Sequence, residues 1–125
     1  MLQVLLDEHI SPEIAVTAQR SSRGFRVVSI HDWEAGHFVG APDAELLRAA
    51  ATQHLTLLTF DLKTIPHLLR SWAEQDIEHG GVIFIDEKSF AQNAIGPIAR
   101  ALCDLWRAEG KLDWTNRTVF LQKKG

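Results

Sequence analysis

The sequence predicts an α/β fold, a three-layer sandwich with helices on both faces of a mainly parallel central sheet. Three observations carry that expectation. Four short apolar runs, LQVLL (2–6), FRVVSI (25–30), LTLLTF (55–60) and GGVIFI (80–85), are rich in Leu, Ile and Val. Such continuous runs read as strands covered on both faces. Longer stretches of helical periodicity separate them, and strands alternating with helices make a parallel, doubly wound sheet. Finally, three of the runs stop at an acid: Asp7, Asp61 and Asp86.

Each element has its own justification. After the first run, Ser11 reads as an N-cap with Pro12 at the first helical position. The helix should extend to about Ser22, with Ile14, Ala15 and Ala18 inward, and Gly24 should end it. Residues 31–43, HDWEAGHFVGAPD, form a loop by their glycines, proline and aromatics. Residues 43–54 place Leu46, Leu47, Ala50 and Ala51 on one helical side. A third helix is expected over 63–75, with Pro66 in its first turn. Ser89 and Gln92 fit a capping box, which predicts a helix from there to about Glu109, stopped by Gly110. Residues 117–122, RTVFLQ, read as a fifth, edge strand.

The 125 residues suit one domain, 1–125. The sequence has no repeat, linker or low-complexity tract. No segment approaches the roughly 20 apolar residues that span a bilayer, and no basic stretch leads into a signal-like region. A cytoplasmic protein with no membrane contact is expected. A single cysteine, Cys103, excludes an internal disulfide and falls among Ile98, Leu102 and Leu105 at helical spacing, where it reads as a packing residue. The net charge of −3 gives no overall basic footprint for nucleic acid. Arg20, Arg23 and Arg26, and then Arg107, Lys111, Arg117, Lys123 and Lys124, are local basic groups that read as solvated faces.

In open parallel sheets, ligands bind beyond the carboxyl ends of the strands, where the strand order changes direction. With strand order 2-1-3-4, Asp7 and Asp61 would be neighbours at that point. Asp43 and Glu45 open the helix leading into the third strand, and Glu8 adjoins Asp7. Clustered carboxylates repel one another, and a hard divalent cation relieves the repulsion. Mg²⁺ or Mn²⁺ held by a few of these carboxylates would activate water and stabilise charge on a phosphodiester. Glu8 and Glu45 would be secondary ligands or water-orienting groups. Every acid also has a plainer role: Asp7 as a turn cap, Asp61 and Asp43 as helix caps, Asp32 and Asp86 as solvated acids. The six histidines have no zinc-ligand spacing, and no GxSxG, Walker or GxGxxG motif is present. Trp33 and Phe38 would either stack on a base or pack over the core edge.

VLLDEHISPEIA, VVSIHDWEAGHFVGAPDAELLRAA, TLLTFD and HGGVIFI, in that order over about residues 3–86, resemble the short stand-alone PIN-like proteins related to PIN-domain ribonuclease toxins. The family pattern runs LLDEN-[LI]-SP, then [SA]-x-D before an apolar helix, then T-x-D-x-D-F, then H-x-G-V-I. The resemblance implies a PIN-like, Rossmann-like topology and an acidic Mg²⁺ or Mn²⁺ site that hydrolyses RNA. Asp7, Asp43 and Asp61 match the family's acids, and Glu8 matches the acid beside the first. It also implies a toxin–antitoxin setting, with a small antitoxin protein as partner; a homodimer is a further expectation. Two departures stand out. His9 replaces the usual Asn, and DLKTIP places Lys63 and Thr64 where the family has Asp and Phe. Lys63 removes one carboxylate, a metal ligand in the family pattern, and would either contact substrate phosphate or weaken the site.

Two other functions compete. One is a catalytically silent PIN-like protein-binding module, favoured by Lys63. The other is a phosphoacceptor receiver-like signalling domain with Asp61 as acceptor. Against the receiver, the fourth strand ends in IFIDEK without a small hydroxyl residue, and no Lys-Pro follows the fifth strand.

Overall fold

The computed structural model describes residues 1–123, so Lys124 of the C-terminal basic group lies outside the described residues. Five strands and four helices alternate along them. These are β1 (Val4–Leu6), α1 (Glu13–Ser21), β2 (Val27–Ser29), α2 (Asp43–Thr52), β3 (Thr56–Thr59), α3 (Thr64–Glu74), β4 (Val82–Phe84), α4 (Ile95–Glu109) and β5 (Thr118–Phe120). All strands are parallel, in the order β2-β1-β3-β4-β5. The α/β three-layer, Rossmann-like sandwich expected from the alternating pattern is the architecture found. No helix among the described residues is long and apolar enough to cross a membrane.

Alternate residues of each strand feed opposite layers, as the two-residue period requires. Val4, Leu6, Leu58 and Ile83 face α1 and α4, where Ile14, Ala18, Ile98 and Leu102 meet them. Leu5, Leu57, Val82 and Phe84 face α2 and α3, meeting Leu46, Leu47, Ile65 and Trp72. Cys103 is buried between α1 and α4, its Sγ 3.5 Å from the Ala18 carbonyl oxygen, which is a packing role.

Chain order and layer together assign the hand of each crossover. The step from β1 to β2 goes one way across the sheet with α1 on one face. The steps β2 to β3 and β3 to β4 go the other way with α2 and α3 on the opposite face, and so share its hand. From β4 to β5 the chain keeps moving outward, yet α4 lies on the α1 face. That crossover therefore has the hand opposite to the other three, a departure from the usual uniform right-handedness. It doubles the cover on the α1 face, and on the opposite face Val82 and Phe84 of β4 pack against α3 while Thr118 and Phe120 of β5 stay exposed.

Local chemistry explains most boundaries. Pro12 already has helical φ/ψ of −57°/−22°, and Ser11 Oγ accepts the Glu13 N–H at 3.2 Å. The capping box expected at Ser89 and Gln92 does not form. Ser89 N–H bonds to the Asp86 carbonyl, Gln92 Nε2 donates to Glu87 Oε1, and α4 starts only at Ile95. Pro97 is the reason: inside a helix begun at Ser89 it would lack a needed N–H and clash with the preceding turn, whereas in the first turn of α4 it costs neither. Ahead of β4, Gly81 takes φ +99°, and a Cβ there would lie 2.6 Å from the Trp114 carbonyl oxygen.

Candidate functional site

β1 and β3 are neighbours, and the strand order changes direction between them. The Asp7 N–H extends their pairing by one bond to the Leu58 carbonyl at 3.1 Å, which sets Asp7 beside Thr59. The carboxyl ends of these strands open into a cleft of about 280 Å³. Asp7, Glu8, Asp43 and Asp61 line it, with His9 and Phe60 adjoining.

A hydroxyl that the acid pattern did not single out organises the floor. Thr59 Oγ1 donates to Asp7 Oδ2 at 2.7 Å and accepts the Asp61 N–H at 3.0 Å, while Thr59 itself is fully buried. One side chain thus ties both strand-end acids together. Its signal in sequence was a polar residue inside the apolar run LTLLTF. Asp7 Oδ1 also accepts the Glu8 N–H at 2.8 Å, closing the turn after β1. Across this turn, His31 Nε2 lies 3.1 Å from the Glu8 carbonyl oxygen.

The capping roles fall differently from what the residue types suggest. Asp61 serves the start of α3: its Oδ1 accepts the N–H groups of Lys63, the residue before that helix, at 2.9 Å and of Thr64, its first residue, at 2.8 Å. Asp43 does not, since the cap residue of α2 is Pro42 and no side chain caps that end. The half-buried Asp43 carboxyl is instead exposed to its neighbours' charge. Burial first, and then Asp7, Asp61 and Glu8, push its pKa above the ordinary carboxylate value.

That repulsion places the four acids within electrostatic reach of one another. They are not drawn to ligating range: among the described residues, no three His, Cys, Asp or Glu side chains are grouped closely enough to hold a metal ion as they stand. The donor set still matches a hard cation in kind, being carboxylate oxygens only. Asp43 keeps its oxygens free of capping. Asp7 and Asp61 use part of the roughly four acceptor sites a carboxylate offers.

Glu45 and Lys63 are exposed and do not line the cleft, although the Lys63 backbone touches Asp61. Asp86 closes the turn after β4, accepting the Lys88 N–H at 2.9 Å. The next residue, Glu87, does reach the cleft, together with its partner Gln92. Neither was visible in the sequence, because their placement depends on the irregular path between β4 and α4. Trp33 is buried in the α2–α3 layer with Phe38 stacked against it, ring centroids 4.8 Å apart, and its Nε1 donates to Gln53. The pair packs over the core edge.

The fold and cleft together define the class: a three-layer, Rossmann-like α/β protein with an acidic site at the switch between β1 and β3. Beyond the class, no family model, no curated protein and no solved structure matches the chain.

Proposed function

We propose that this protein is a PIN-like, metal-dependent ribonuclease that hydrolyses RNA phosphodiester bonds. The observation that carries the reading is the convergence of Asp7, Glu8, Asp43 and Asp61 on one cleft, with Asp43 disfavoured as an anion by burial first and then by the other three. A divalent cation would lift that penalty. Asp7, Asp43 and Asp61 would hold Mg²⁺ or Mn²⁺, which when bound supplies charge neutralisation and a more acidic water. Glu8, which lines the same cleft, would orient that water. Glu45 and Lys63 have supporting roles outside the cleft, Lys63 as a cation for incoming phosphate. On this reading the protein works in the cytoplasm as the toxin of a toxin–antitoxin pair, either alone or as a homodimer, with a small antitoxin protein as its partner.

The test is cleavage of a fluorescent single-stranded RNA with Mn²⁺ present and absent. Metal-dependent cleavage is expected from the wild type and should fall at least about a hundredfold in Asp7→Ala, the scale of losing a group acting in the transition state. Cleavage unchanged by Asp7→Ala, or indifferent to chelation, overturns the proposal. Lys63→Asp, which supplies the carboxylate found elsewhere in the family pattern, is expected to raise activity.

One observation favours a second reading, a catalytically silent PIN-like binding module. Asp7 and Asp61 already serve internal hydrogen bonds, and the acids stay beyond ligating range. The receiver-like reading has less support, because the fourth strand leads into Asp86, a turn-forming acid. Phosphorylation of Asp61 by a small phosphodonor would favour it over both others.

A further inference from the structure

A clasp centred on one buried histidine fastens the start of β4 to the segment that enters β5. His79 is 6% exposed, and its Nδ1 accepts the Gly81 N–H at 3.0 Å, so in the neutral ring the proton sits on Nε2. That bond shapes the short turn ahead of β4, and the turn in this shape offers the His79 main chain to Asn116. The His79 N–H donates to Asn116 Oδ1 at 3.0 Å, and the His79 carbonyl accepts the Asn116 N–H at 2.9 Å. Further on, the Val82 N–H reaches the Arg117 carbonyl at 2.9 Å, where the β4–β5 pairing begins.

The clasp depends on an acceptor that a proton removes. Uptake of a proton at Nδ1 makes both ring nitrogens donors. The Gly81 N–H has no other acceptor among the described residues, and a buried imidazolium facing an N–H must turn towards water. Arg70 on α3, and Asp76 and Glu78 beyond it, line the same groove as His79, beside the uncharged Asn116 and Thr118. His54 and Asp113 line a separate groove with Gly80. Asp76 and Glu78 favour the charged ring and Arg70 opposes it. Burial prevails and holds the His79 pKa below the ordinary histidine value. The closed clasp therefore excludes the proton, and the open one accepts it.

The two sides of the turn are held differently, which confines the release. Towards β3, the Leu57 N–H donates to the Gly81 carbonyl at 3.1 Å and Thr56 Oγ1 to the Gly80 carbonyl at 2.8 Å, bonds that involve no ring atom. Towards β5, the bonds with Asn116 rely on the shape that the ring bond imposes. Trp114 and Leu121 are buried in the α1–α4 layer and anchor this segment on either side. What lies between them can open without disturbing the core.

We propose that His79 makes the clasp a pH-operated latch: a proton taken from solvent by its imidazole frees the backbone of residues 115–118 from β4, while β1 to β4 stay paired. The latch is independent of the ribonuclease reading, because none of its residues lines the acid cleft.

The experiment is amide hydrogen exchange by NMR on the full chain between pH 7.5 and 5.5, corrected for the intrinsic pH dependence of exchange. Protection of the Gly81, Val82 and Asn116 amides is expected to fall about tenfold. That is the ratio by which an imidazole released to its ordinary pKa of ~6.5 favours the open form over this range. The opening is local, so low urea should not accelerate it, whereas Leu5 and Leu6 in β1 should exchange only through urea-sensitive unfolding. His79→Gln, whose amide oxygen can accept the Gly81 N–H without titrating, should keep the protection constant with pH. The pH and urea readings need the wild type alone. A change of less than twofold, an equal change in His79→Gln, or exchange at these amides that follows Leu5 and Leu6 in urea overturns the proposal.

Discussion

Thr59 has no route to water, and its hydroxyl spends both donor and acceptor on the acid site. Thr59→Val keeps the shape but leaves Asp7 Oδ2 and the Asp61 N–H unpaired. A hydrogen bond to a charged group contributes about 1.5–3 kcal/mol, so urea unfolding should show a loss on that scale, recovered by Thr59→Ser. Asp43 works in the opposite direction. Its pKa is raised in the fold, so its ionised form destabilises the native state above that raised value, and the penalty fades as pH falls through it. Asp43→Asn should therefore raise the metal-free melting temperature at pH 7, with the advantage shrinking on acidification. His79 has a lowered pKa because burial disfavours its charged form. The unfolded chain takes up the proton first, near pH 6.5, so stability should decline as pH drops from 7 towards 5. The slope should diminish in His79→Gln, as followed by melting curves across pH.

At the scale of elements, helix ends hold the separable effects. Asp61 both faces the cleft and caps α3. Loss of such a cap costs about 1 kcal/mol, so Asp61→Ala should be less stable than Asp61→Asn by roughly that amount, although both lose the charge. Comparing the two variants by denaturation separates the structural role from any role with metal. α2 ends with His54 at φ +57°, where the His54 and Leu55 N–H groups return to the Ala51 and Ala50 carbonyls. A side chain in this left-handed region costs about 1–2 kcal/mol, partly offset by the chain entropy glycine loses on folding. His54→Gly should accordingly stabilise the protein by about 0.5–1 kcal/mol. Helix identity was legible because Leu46, Leu47 and Ala50 share a face within their own segment. The start of α4 was not, because Pro97 outweighs the local capping signal of Ser89 and Gln92.

At the scale of the whole molecule, metal linkage decides between the enzyme and the silent module. A ligand binding only the native state stabilises it by about 2.7 kcal/mol at a hundred times its Kd. Mg²⁺ or Mn²⁺ should raise the melting temperature of the wild type but not of Asp7→Asn. A wild type indifferent to millimolar metal would leave the acids as structural and favour the binding module.

Residues close in sequence determined what the sequence by itself could determine. Apolar runs broken by helical periodicity specify a parallel α/β sandwich, because burial on both faces demands continuous apolar strands. Acids at successive strand ends place Asp7 and Asp61 at one end of the sheet, because parallel strands all end on the same side. The tertiary structure alone decided which oxygens are already occupied, that Thr59 joins the two acids, and that Asp43 rather than Asp61 is spared from capping. It also decided that α4 crosses over the α1 face. These outcomes depend on contacts between segments distant in the chain, and no local pattern records which face a helix will cover or which donor a carboxylate will meet.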